Sequence, residues 1–413
     1  MADSYIQKIV SERLGGRRFG KDMVLSVNDK INISKDSAVA QHPELTFIDF
    51  SSNEPDAMAD YGVINEFAKE ANVWENRVYS AGTDKDFAFA AAQYMKNVFG
   101  VENLDPETDI VYNSGALSAV FSVMQAFINQ GDVAIVASPV CGRVLKAVEL
   151  SGGEVYLLPL TESNGYLPDL DSVPDDIAER AKVIYINYPN NPTGAVGTEK
   201  AFRKVVRFAK KNKLVVVNDA TYSPIVYDGV KPLSFLNVNG AKDVGIEIHS
   251  LSSAFNMSGW SIGFTAGNAL MVKAVLSVSS LSGLSKFKAE QLAAKYALEH
   301  TEITAQTVEK YSRRLDMLTA VLKKSGFKVK KPKATMFLYA KAPIGIKDCI
   351  KFKNAEDFCS WLLNEKLVAA VPYKECDNGI RFSVTFAALG ENEEKAVIDD
   401  FAERLSGIKF EFE

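Results

Sequence analysis

Val183-Ile184-Tyr185-Ile186 and Leu214-Val215-Val216-Val217 bracket a stretch that contains Tyr188-Pro189-Asn190-Asn191-Pro192-Thr193-Gly194 and then a helically spaced segment, Glu199–Asn212. The two bracketing runs are β-branched, apolar on both faces and too short for helices. They read as buried strands joined through a turn and an amphipathic helix. Strands of this kind, connected by a crossover helix, run parallel. Working outward, Ile110-Val111-Tyr112, Val133-Ala134-Ile135-Val136 and Val155-Tyr156-Leu157-Leu158 are further strands, separated by helical patterns at Ala116–Ile128 and Gly142–Leu150. The alternation predicts an α/β fold with a mostly parallel sheet between helices.

From about Leu298 the pattern changes. A long helical region, Glu302–Ser325, leads into strand-like Met336-Phe337-Leu338-Tyr339 and Arg381-Phe382-Ser383-Val384-Thr385, and a last helix covers about Glu391–Leu405. The expected organisation is a polar N-terminal arm with part of the small domain (1–45), a large α/β domain (46–297) and a smaller α+β domain (298–413).

The 413 residues are 47% hydrophobic and 24% charged, with a net charge of −5, which favours neither nucleic acid nor an anionic membrane as a partner. The N-terminus has no charged-then-apolar leader, and no apolar run is long enough to span a bilayer. Cys141, Cys349, Cys359 and Cys376 lack close paired spacing and read as reduced thiols of a cytoplasmic protein. His42, His249 and His300 are too scattered to suggest a metal site.

Four segments carry chemistry: Asn76-Arg77-Val78-Tyr79, the Tyr188–Gly194 loop, Asn218-Asp219-Ala220-Thr221-Tyr222 and Arg381-Phe382-Ser383-Val384-Thr385-Phe386. Taken singly, each has an ordinary reading. The loop is a good turn sequence, Asp219 suits a helix cap, and Arg381 suits a structural ion pair. Taken together and in this order, they resemble the fold type I aminotransferases, closest to the LL-diaminopimelate and aspartate types, over nearly the whole chain. The resemblance implies a large domain with a sheet of the seven-stranded type. It also implies a pyridoxal phosphate pocket in which Asn191 and Tyr222 reach the ring oxygen and Asp219 the ring nitrogen, while Arg381 clamps the substrate carboxylate. Tyr79 and Lys286 would approach the neighbouring subunit's site in a homodimer.

Against that family, Ser250-Leu251-Ser252-Ser253-Ala254-Phe255-Asn256-Met257-Ser258-Gly259-Trp260-Ser261 departs twice. The resemblance places the Schiff-base lysine at Ser253 and a phosphate-binding arginine at Ser261. Ala116 and Leu117 stand where relatives carry a polar pair, Cys141 where an aromatic ring stacks on the cofactor, and Asn53 near a glycine that the substrate approaches. Ser250 and Tyr79 keep some phosphate contact. Each lost hydrogen bond to a charged group is worth about 1.5–3 kcal/mol. Three such losses weaken binding about a thousandfold or more.

The expectation that follows is a protein without pyridoxal phosphate or any other cofactor or metal, a pseudo-aminotransferase unable to transaminate. It would use Arg381, Asn191, Tyr222 and Asn53 to take a small amino- or keto-acid carboxylate in a specialised biosynthetic pathway. Asp219, Cys141 and Ser253 are its candidate catalytic groups. The alternatives are an inactive subunit paired with a competent aminotransferase, and a weak non-covalent cofactor binder.

Overall fold

The structure, a computed structural model, describes residues 5–19, 27–80, 82–281, 287–373 and 377–413. Its strands are β1 (Ile48–Asp49), β2 (Ile110–Asn113), β3 (Val133–Ser138), β4 (Glu154–Pro159), β5 (Ala181–Asn187), β6 (Val215–Asp219), β7 (Gly245–Ser250), β8 (Gly263–Gly267), β9 (Phe337–Lys341), β10 (Gly345–Ile346), β11 (Ile350–Lys351), β12 (Val368–Ala369), β13 (Val371–Tyr373), β14 (Gly379–Ser383) and β15 (Phe410–Glu411). The helices are α1 (Tyr5–Ile9), α2 (Val27–Gln41), α3 (Tyr61–Ala71), α4 (Lys85–Phe99), α5 (Ala116–Phe127), α6 (Gly142–Leu150), α7 (Asp175–Arg180), α8 (Glu199–Asn212), α9 (Ala241–Val244), α10 (Ala269–Leu281), α11 (Lys288–Glu299), α12 (Glu302–Lys324), α13 (Ala355–Lys366) and α14 (Glu391–Arg404).

Seven strands form the main sheet in the order β2-β8-β7-β6-β5-β3-β4. β8 runs antiparallel to both its neighbours, while the β7-β6-β5-β3-β4 pairs are parallel. Alternate residues of one strand serve opposite cores. Val183, Tyr185 and Val217 join a cluster with residues of α5, α6 and α10. Ile184, Ile186 and Val216 join the larger cluster, which includes residues of α4, α8 and α11. Burial on both faces is why these strands read as unbroken apolar runs. Helix α8 starts as the sequence predicts: the Thr198 side chain accepts from the Ala201 N–H and caps its first turn.

Beyond α12 the antiparallel trio β13-β14-β9 packs with α12, α13 and α14. Strand β1 pairs in parallel with β12 in a separate two-stranded sheet, so the segment following the N-terminal helices joins this second part of the chain. Helix α2, longer than the sequence pattern suggests, docks Ala38 and Ile31 against Leu363, Leu367 and Ala369.

A buried ionic knot fixes how the two parts meet. Arg314 on α12 is 0% exposed and reaches Asp56 at 2.8 Å, Glu394 at 3.2 Å and the Val384 and Phe386 carbonyls. Lys310 adds a second contact to Asp56 at 2.6 Å. The segment between Asp49 and Asp56 is thereby tied to the second sheet, which sets the position of Asn53. Among the described residues, no helix is long and apolar enough to cross a membrane, and no group of His, Cys, Asp or Glu is placed to hold a metal.

Candidate active site

The strand ends β5, β6 and β7 meet β14 and the segment after β1. Register places Asn187 opposite Asp219. The Asn187 amide donates to the Asp219 carbonyl at 2.7 Å, and its oxygen accepts from the Asn191 N–H at 2.8 Å. Asn187 thus fastens the Tyr188–Gly194 loop to the tip of β6.

Asp219 does not cap a helix. One carboxylate oxygen accepts from the Thr221 hydroxyl at 2.5 Å and its N–H at 3.1 Å. The other accepts from Tyr185 Oη at 2.7 Å. Burial pushes the Tyr185 phenol well above its ordinary range, and the Asp219 charge adds to the shift, so the phenol stays a proton donor. Tyr222 receives a hydrogen bond from Asn191 Nδ2 at 3.2 Å and shares another with the Asn53 side chain. Burial, then Asp219, push it up to about 12, with Arg381 opposing.

Arg381 is 5% exposed. It donates to Asn191 Oδ1 at 3.2 Å and to the Ser51 carbonyl at 2.5 Å, and its guanidinium lies 4.5 Å from the Phe337 ring centroid. No carboxylate among the described residues pairs with it, and its Nε has no hydrogen-bond partner. A buried guanidinium held only by neutral groups is costly unless an anion completes it. The structural ion pair is therefore not what holds Arg381.

Ser253, 4% exposed, sits in the turn after β7, near Ser250, whose hydroxyl accepts from the Ser252 N–H at 3.2 Å. Ser261 is exposed, with a left-handed φ of 51°. Its Cβ lies 3.5 Å from where a side chain on Gly115 would begin, so it faces the start of α5 at Ala116 and Leu117. No side chain caps that helix end, which leaves backbone N–H groups for an anion. Cys141 is exposed, ahead of α6, and close enough to Tyr185 and Tyr373 to weigh on both phenols. Tyr79 is 91% exposed. Lys286 and Cys376 lie outside the described residues.

Sequence reasoning missed Tyr185, Asn187, Phe337 and Tyr373. Tyr185 alone had a signal, a phenol inside an apolar strand two residues before Asn187.

The floor and clamp thus assembled define a class I and II aminotransferase. That family matches residues 46–401, and the chain belongs to it, with the fold type I architecture of pyridoxal phosphate enzymes. Among its relatives, the chain is similar to the LL-diaminopimelate aminotransferases of Methanocaldococcus jannaschii, at 43% identity, and of Methanococcus maripaludis, at 40%. Both matches cover all of both chains. In structure it resembles substrate-bound BacF from Bacillus subtilis, with a TM-score of 0.86 at 26% identity, covering 98% of this chain and 99% of that one. It also resembles a double mutant of Thermus thermophilus aspartate aminotransferase, with a TM-score of 0.83 at 25% identity, covering 96% and 99%.

These relatives correct the expectation built on Ser253. A pseudo-aminotransferase that works without pyridoxal phosphate and cannot transaminate conflicts with full-length likeness to LL-diaminopimelate aminotransferases. The expectation of no cofactor falls with it, as do the inactive-subunit and weak-binder alternatives. That expectation weighed the departures at Ser253, Ser261, Ala116, Leu117 and Cys141 above the ring-facing groups that remain. Asn191, Tyr222 and Arg381 are hydrogen-bonded to one another, and Asn187 ties the Asn191 backbone to that of Asp219, none of it through residue 253. For the cofactor, the ring-facing groups fit: an oriented carboxylate and a phenol–amide pair. The hydroxyls of Ser253 and Ser261 do not fit the covalent and cationic anchoring that the resemblance implies.

Proposed function

We propose that this chain is an aminotransferase that works with pyridoxal phosphate on a long diamino dicarboxylic acid of the LL-diaminopimelate type. The observation that carries the reading is Arg381: a buried guanidinium without a carboxylate partner among the described residues, hydrogen-bonded to Asn191, which in turn bonds Tyr222. When bound, the cofactor supplies the electron sink that amino transfer requires. Arg381 holds the substrate's α-carboxylate, with the fork geometry fixing its orientation. Asp219, braced by Tyr185 and Thr221, would accept a hydrogen bond from the ring N–H, and Asn191 and Tyr222 would hold the ring oxygen. The uncapped start of α5, with Ser250 and Ser261, offers neutral donors to the phosphate. Ser253 carries no amine, so the ring-facing groups, and not a link to residue 253, would hold the cofactor.

The chain is further proposed to act as a homodimer. Support comes from Trp74, Val78 and Tyr79, which are 68%, 57% and 91% exposed around the segment that the resemblance assigns to the neighbouring site.

The test is amino transfer from LL-diaminopimelate to a keto acid by the purified full chain with saturating pyridoxal phosphate, followed by mass spectrometry of both products. Enzyme-like turnover that falls at least a hundredfold in Arg381→Met supports the reading. Absence of transfer with every amino acid offered refutes it.

A further inference from the structure

Helix α8 carries more positive charge on its outer side than the chain neutralises. Lys200, Arg203, Lys204, Arg207, Lys210 and Lys211 are exposed, while Phe202, Val205, Val206 and Ala209 are buried on the inner side. Arg203 pairs with Glu199, and Lys210 with Asp243 at 2.7 Å. Lys200, Lys204, Arg207 and Lys211 pair with no carboxylate among the described residues. Their steps of four, three and four residues place them in one stripe along the helix. Like charges at that spacing repel, so the stripe weakens the helix that bears it.

A matching excess of negative charge lies close by. The turn Leu170–Ser172 packs against α8, with Leu170 buried in the same core as Phe202 and Val205. Asp171 in that turn, and Asp175, Asp176 and Glu179 on α7, are exposed and pair with no cation among the described residues. Asp175 and Asp176 suit the first turn of their helix. Glu179 sits in the last turn, where its charge opposes the helix dipole, and it repels Asp175 one turn away.

We infer that this surface joins a second copy of the chain, with the basic stripe of each copy set against the acidic segment of the other. The charges are opposite and unpaired on both sides, so contact replaces like-charge repulsion with attraction. The spacings agree. Residues four apart on a helix lie about 6 Å apart along its axis, which holds for Lys200 and Lys204, for Arg207 and Lys211, and for Asp175 and Glu179. The two patches also adjoin on one subunit, the arrangement that lets a two-fold axis make both contacts at once. A nucleic acid or an anionic membrane fits less well, because it would meet the acidic segment beside the stripe. The apolar side of α8 is already buried in the core and has nothing to insert into lipid. Exposed charges are worth little singly and are screened by salt, so the association is weak and salt-labile. It uses none of the residues around Tyr79 and does not depend on the function proposed above.

The experiment is sedimentation velocity on the full chain over a range of concentrations, at about 20 mM and about 300 mM sodium chloride, which bracket the screening of exposed charges. Association beyond the high-salt assembly is expected to be at least about tenfold tighter in low salt. Two charge-reversed chains probe the two patches. One carries Lys204→Glu, Arg207→Glu and Lys211→Glu, and the other Asp175→Lys, Asp176→Lys and Glu179→Lys. Each alone should lose the low-salt step, because its two patches then carry the same sign. An equal mixture should regain it, because each chain offers the other an opposite charge at both contacts. Circular-dichroism melting checks that both chains fold, and the salt comparison needs no variant at all. A native chain of the same mass in both salts overturns the proposal. So does low-salt association that survives either reversal, or a pair of folded reversed chains that stay apart when mixed.

Discussion

Replacing Arg381 by methionine tests the site at its centre. Methionine keeps an unbranched chain against Phe337 and removes the charge. A guanidinium offers five N–H donors. Asn191 Oδ1, the Ser51 carbonyl and the Tyr373 hydroxyl each take one, and Nε has no partner, so two donors remain for a ligand carboxylate. Two charge-assisted bonds to that carboxylate are worth about 1.5–3 kcal/mol each. Their sum, about 3–6 kcal/mol, corresponds to a loss of about 10² to 10⁴ in affinity. The variant should nevertheless fold, because it also removes a buried charge that no carboxylate among the described residues offsets. Arg381→Lys should fall between, keeping charge without the fork. Calorimetry with an α-amino acid reads the affinity, and circular-dichroism melting confirms the fold. A folded Arg381→Met chain that binds within threefold of the native one would refute the assignment of Arg381 as the carboxylate clamp.

Three further outcomes are expected. Arg314→Met should cost about 3–5 kcal/mol of stability, because Asp56 and Glu394 lose a buried partner; a urea midpoint that does not move contradicts the role of the knot. Stability should decline as pH rises above about 10. The Tyr222 phenol is held up to about 12 in the folded chain, whereas an unfolded tyrosine releases its proton near 10, so in that window the unfolded state binds fewer protons and gains. Denaturant midpoints that stay level from pH 8 to 11.5 would argue against this. Ser253→Lys should gain an attachment to pyridoxal phosphate that borohydride fixes, read as a mass increase on that residue's peptide; its absence would show that position 253 does not face the aldehyde.

Much of the fold was legible because its signals are local. Helices α6 and α8 follow from apolar spacing and, for α8, a threonine cap. The inner strands follow from β-branched runs buried on both faces. The site was legible in part. Asp219, Asn191, Tyr222 and Arg381 sit in segments with their own character, but no spacing rule reveals that Tyr185 reaches Asp219 across 34 residues or that Ser51 reaches Arg381 across 330. The same limit explains the misjudged cofactor. Ser253 is one letter in a row, whereas the ring-facing groups hold one another in space.

By itself, then, the chain's order of residues determined the α/β layering and the identity of the main polar anchors, since periodicity and turn chemistry act between near neighbours. Only the tertiary structure decided which partners those anchors have. It showed that Asp219 is braced by a phenol instead of capping a helix, and that Arg381 is buried without a carboxylate. It also showed that Gly379 leaves the room that the Tyr339 ring occupies. Each of these depends on strand register and on the meeting of two sheets, which bring together groups that local sequence keeps far apart.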